Sequence, residues 1–195
     1  MRNNYPLLSW LIFIGLVAAI LLPPVSWFLW SFGLPVESLF SAEGLRWLFL
    51  HAIEKTFNRN FFHSLLLCSA VGVWLQVLSV PVAVTVRRMG VMITFFVFTL
   101  ILVATLLAAF HPSSALLSIN GTITQSPFSR GFLPFAALSA AMLGVVYGFS
   151  VGAIRTIPNL VEVLVFGVAK YIAWLLLLLV FNFNLACVNY VFGLL

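Results

Sequence analysis

Aspartate is absent from this chain, and its four acidic residues are all glutamates. Only 7% of the residues carry charge, against about a quarter in soluble domains. So little polar surface cannot cover a globule in water, which excludes an ordinary soluble fold. No hydrophilic stretch is long enough for a separate soluble domain. The two cysteines, Cys68 and Cys187, sit in apolar surroundings without metal-ligand spacing, so neither a disulfide framework nor a zinc site is read. Paired carboxylates, a nucleophile motif, a phosphate loop and a metal cluster are all missing. No catalytic residue, metal ligand or cofactor is therefore assigned, and an enzyme is not expected. The net charge of +5 comes from scattered basic residues, which argues against a nucleic-acid partner.

What the chain does contain is apolar surface. Hydrophobic residues make up 64% and mean hydropathy is +1.21, which also excludes disorder. At about 20 apolar residues per helical span, there is room for five or six spans. The expected fold is an all-α integral membrane protein, a single membrane domain over residues 1–195 with the lipid bilayer as its solvent. It comprises five transmembrane helices, at 6–30, 62–86, 91–110, 131–153 and 161–183, plus one interfacial amphipathic helix at 41–56. The first run is too long for a signal-peptide core, and Pro23-Pro24 predicts a kink or break within it. Ser41 suits a helix N-cap with Glu43 in the first turn. Leu45, Leu48, Phe49, Ala52 and Ile53 then recur at helical spacing, a pattern for lying in the interface or docking on the bundle. From Asn182 onward the chain is too short for another span and reads as a re-entrant or interfacial tail.

Arg2, Arg87, Arg88 and Arg155 fall on one side of these spans; Arg46, Lys55, Arg59 and Arg130 fall on the other, among three glutamates. The basic counts tie, and acids count little. The first set lies tightly against span ends, which predicts a cytoplasmic N-terminus.

Few residues offer chemistry. Ala140, Gly144, Gly148 and Gly152 recur every four residues and predict a smooth helix-packing or oligomer face. Tyr147 and Ser150 lie near it. Lys170 is the one basic residue deep inside an expected span, where burial costs at least about 2.5 kcal/mol. Glu162 lies two turns earlier and about 80° away around the helix, so Lys170 either serves a site or leans toward that carboxylate. Asn182 and Asn184 need polar partners if they enter hydrocarbon. Facing histidines such as His63 and His111 can hold a haem, although interfacial histidines are ordinarily just solvated.

Two stretches resemble the p-aminobenzoyl-glutamate transporter family. The first is Leu39-Phe40-Ser41-Ala42-Glu43-Gly44-Leu45-Arg46-Trp47, similar to the family's motif in the external segment after the first span. The second starts at Ser126-Pro127-Phe128 and continues through Gly131, Pro134, Gly144, Tyr147-Gly148 and Gly152-Ala153-Ile154-Arg155, similar to the start of the family's second half. Family members are considerably longer, with paired re-entrant hairpins and broken helices building the substrate site. Here the first hairpin is missing around Thr85 to Arg88, and the second, after the fifth span, is missing too. No family binding residue carries over.

The resemblance implies a shortened transporter, or transporter component, for a small organic anion in a bacterial inner membrane. Lys170 is then the expected anion contact, with Tyr147, Asn182 and Asn184 as polar lining. A transport pathway would be completed by a homo-oligomer or by other membrane subunits. The rival expectation is a non-transporting structural subunit, which the glycine stripe and the Leu175–Leu179 run suit; a redox or pigment subunit is a third.

Overall fold

A computed structural model describes residues 6–110 and 127–194. Among the described residues there are eight helices and no strand. Five of the helices are long and apolar enough to cross a bilayer: Pro6–Ser31, Arg59–Leu78, Val84–Ala108, Gly131–Ser150 and Ile172–Val191. The protein is an all-α, multi-pass membrane protein. Its contacts fall into two compact units: residues up to Ser64 together with those from Tyr171 onward, and residues Leu65–Lys170.

In the first unit, α1 (Pro6–Ser31) runs through Pro23 and Pro24 without interruption, so the proline pair does not break it. The missing N–H groups leave carbonyls in the preceding turn without their usual donors. Ser26 lies just past the pair. Its hydroxyl donates to the Pro23 carbonyl at 2.8 Å and accepts from the Leu39 N–H at 3.0 Å. Gly33, at φ +75°, turns the chain out of α1. Leu39 is then fully buried in a core with Cys187 and Val191.

The expected interfacial helix is two helices, α2 (Ala42–Leu50) and α3 (Ala52–Thr56), divided at His51. Ser41 does cap α2, accepting from Gly44 N–H at 2.9 Å. Both pieces dock onto α8 (Ile172–Val191): Trp47 stacks on Tyr190 with centroids 4.5 Å apart, and α3 packs along α8. Asn58 supplies the N-cap of α4 (Arg59–Leu78), its Oδ1 accepting from the Phe61 N–H at 3.1 Å.

In the second unit, α4 from Leu65 onward packs with α5 (Val84–Phe110), α6 (Pro127–Ser150) and α7 (Ile157–Lys170). Val73, Val77, Tyr147, Val151, Ile154 and Val163 form the core. The expected span 62–86 ends instead at Leu78. Pro81 sits in the connection and disfavours helical backbone at Val80; α5 starts at Val84, carrying Arg87 and Arg88 inside the helix rather than in a loop.

The expected 131–153 span stops at Ser150 in a Schellman turn. Gly152, at φ +73°, donates to the Phe149 carbonyl, and the Ala153 N–H donates to the Gly148 carbonyl. The expected span 161–183 is divided at Tyr171 into α7 and α8. The segment after Asn182 is not a separate tail but the C-terminal half of α8.

Candidate functional site

The second unit carries a groove of about 330 Å³ on α4, α5 and α6, lined by Arg87, Thr94, Phe95, Trp74 and Tyr147 among others. Each element delivers its residues through ordinary helix geometry. On α5 the lining positions Arg87, Val91, Thr94, Phe95 and Phe98 fall at i, i+4, i+7, i+8 and i+11, one face of a helix. On α6, Leu143 and Tyr147 are one turn apart, as are Trp74 and Leu78 on α4.

The aromatic wall is fixed in place. Trp74 and Tyr147 stack with centroids 5.8 Å apart at 25°. The indole N–H of Trp74 donates to the Ala140 carbonyl at 2.9 Å. Tyr147 packs so tightly against α5 that a Cβ at Gly90 would lie 3.1 Å from its ring. The residue is 4% exposed, yet its hydroxyl has no protein partner among the described residues. Thr94 returns its hydroxyl to the Gly90 carbonyl at 2.8 Å.

Arg87 supplies the charge, and it is exposed. It sits four residues into α5, near the positive end of that helix's dipole, where a cation is disfavoured by roughly 0.3–1 kcal/mol. An anion beside Arg87 relieves that repulsion and gains a charge-assisted hydrogen bond. The groove therefore offers one cation and one phenol hydroxyl on an otherwise aromatic and aliphatic wall.

The four expected site residues are not brought into one site. Tyr147 lines the groove. Lys170 lies outside the fifth span, exposed in the last turn of α7, with its ammonium 5.7 Å above the Phe166 ring. A cation there complements the negative end of the helix dipole. Asn182 and Asn184 belong to the first unit and spend their amides on helix packing. Asn182 Nδ2 donates to the Thr56 carbonyl and to Asn58 Oδ1, each at 3.4 Å. Asn184 Nδ2 donates to the Gly15 and Val180 carbonyls at 3.0 and 2.8 Å.

The small-residue stripe is used inside the second unit. A Cβ on Gly144 would fall 2.6 Å from Val73, and one on Gly148 would fall 2.6 Å from Ile154. Ala140 contributes the carbonyl that holds Trp74. Gly152 leaves the stripe, because it belongs to the turn rather than the helix. His63 is half-buried on α4, whereas His111 lies outside the described residues, as do Arg2 and Ser126.

Arg87, Trp74 and Thr94 were not singled out by the sequence reading. The signal was there: starting the third span at Val84 rather than 91 puts Arg87 in register with Thr94 and Phe98. Comparison with known protein families, curated proteins and solved structures gives no match.

Proposed function

We propose that this protein is a transporter, or a transporter component, for a small organic anion carrying an aromatic or apolar body. It acts in a bacterial inner membrane with its N-terminus in the cytoplasm, and it moves its substrate without transforming it. The observation that carries this reading is the groove that sets Arg87 beside the Trp74–Tyr147 stack. A carboxylate suits the guanidinium, and a ring suits the stacked aromatics. At about 330 Å³, the volume lies at the small end of ligand sites. The resemblance of the Leu39–Trp47 and Ser126–Arg155 stretches to p-aminobenzoyl-glutamate transporters agrees with such a substrate. In this reading Arg87, rather than Lys170, makes the anion contact. The pathway is completed by further copies of this chain or by other membrane subunits.

The test is uptake of labelled p-aminobenzoyl-glutamate and simpler aromatic carboxylates into proteoliposomes. Uptake by the wild type should fall at least about tenfold in Arg87→Gln, the loss expected when a charged hydrogen bond of about 1.5–3 kcal/mol is removed. Lys170→Met should retain uptake. Equal rates in Arg87→Gln and wild type would sink the assignment.

A second reading, a non-transporting structural subunit, is favoured by α5, whose most apolar window has no buried residue. There α5 would seat a different chain. The complex extracted gently from its own membrane and reconstituted separates the two: uptake, whether by copies of this chain alone or with other chains, supports transport, and fixed stoichiometry with other chains without uptake that depends on Arg87 supports the subunit.

A further inference from the structure

A second, smaller cavity of about 110 Å³ lies in the same unit, lined by Gln76, Asn159 and Glu162 together with apolar side chains of α4, α7 and the turn after α6. Its one formal charge is negative. Gln76 Oε1 is buried and accepts no hydrogen bond. Glu162 is the one acidic residue between Leu65 and Lys170, and it adds a carboxylate. Asn159 adds a second side-chain amide, three residues before Glu162 on α7. Neither lysine nor arginine lines the space.

The nearby cations point elsewhere. Arg155 donates its Nε to the Gly152 carbonyl at 3.0 Å, and Arg87 lines the separate α5 groove. Gln76 and Val77 also sit in the last turn of α4, so the negative end of that helix dipole faces the same region. Three oxygen-bearing side chains, a single formal negative charge and a helix C-terminus together suit a cation of charge +1. At ~30 Å³ per water, the cavity of about 110 Å³ has room for three or four water-sized occupants, a small ion among them.

We propose that this cavity is a binding site for a small monovalent cation of the sodium type, held by Gln76 Oε1, Glu162 and the Asn159 amide oxygen. An all-oxygen donor set with one carboxylate suits a hard cation and disfavours transition metals. In keeping with that, the described residues contain no group of three or more histidines, cysteines or acids placed to hold a metal. The site stands independently of the organic-anion reading, because it shares no lining residue with the groove.

The experiment is binding of radioactive sodium ion to the full chain in lipid nanodiscs, with ionic strength held constant by choline chloride. Saturable binding at one site per chain is expected. Glu162→Gln and Gln76→Leu should each weaken it at least about tenfold, since ligand charge and number set such affinities. Asn159→Ala, at the exposed mouth, serves as a variant that leaves the core intact and should weaken binding several-fold. Absence of saturable binding would leave only water in the cavity and overturn the site. Binding of wild-type strength in Glu162→Gln or in Asn159→Ala would overturn it equally.

Discussion

At the scale of single residues, the polar side chains of this protein divide by whether their partners lie within the protein. Trp74 is bound: its indole N–H donates to the Ala140 carbonyl at 2.9 Å, so one side chain both joins two helices and orients the groove wall. Trp74→Phe keeps most of the apolar contact but leaves that carbonyl without this donor. Thermal unfolding in detergent should show a loss of about 1 kcal/mol, the net worth of one hydrogen bond. Tyr147 is the opposite case. Its hydroxyl contributes no bond to the described residues, so Tyr147→Phe should leave stability within about 0.5 kcal/mol of wild type. The same variant should weaken binding of an aromatic carboxylate if the hydroxyl serves the ligand. A large stability loss in Tyr147→Phe would show that the hydroxyl is structural.

At the scale of elements, glycine decides where helices meet. Gly72 on α4 and Gly167 on α7 approach so closely that a Cβ on either would strike the other's backbone, and one on Gly167 would also strike the Cys68 carbonyl. The hydroxyl of Ser69 donates to the Leu164 carbonyl at 2.9 Å across the same crossing. Backbone cannot retreat as a flexible side chain can, so even one methyl must push the helices apart. Gly167→Ala should cost about 1–3 kcal/mol, read as a lower thermal midpoint. Gly131→Ala is the control: a Cβ there meets nothing within 4 Å, and its stability should stay near wild type. Similar losses in both variants would sink the crossing as the cause, since intrinsic helix propensity favours alanine over glycine at both positions. The four-residue glycine repeat in α6 drew attention at the sequence level, whereas this pair lies 95 residues apart and has no periodicity to betray it.

For the whole molecule, five apolar helices of spanning length among the described residues, each crossing once, predict the two ends of the chain on opposite faces of the bilayer. A fluorescent protein fused before α1 should fold and fluoresce in the cytoplasm, while alkaline phosphatase fused after α8 should be active outside. Activity of both reporters on one face would remove one of the five spans. The membrane class, the helical fold and the span number were legible in the sequence, because hydrocarbon admits a spanning chain only as a fully hydrogen-bonded element and a run of about 20 apolar residues declares one. Boundaries were harder to read. Nothing apolar distinguishes Leu78 from Val82 or Ala169 from Ile172, so the helix ends at Leu78 and Lys170 depend on Pro81 and on packing.

Composition and hydrophobic run length thus settled by themselves that this chain is a multi-pass, all-α membrane protein, since both follow from transfer of side chains and backbone into lipid, one segment at a time. Tertiary structure alone decided which polar groups share a site. It put Arg87 with Trp74 and Tyr147, and Gln76 with Asn159 and Glu162, while turning Asn182 and Asn184 to hold helices together. Those pairings depend on helix rotation and on which backbones glycine lets touch. Both are properties of contacts between distant segments, and no local pattern encodes them.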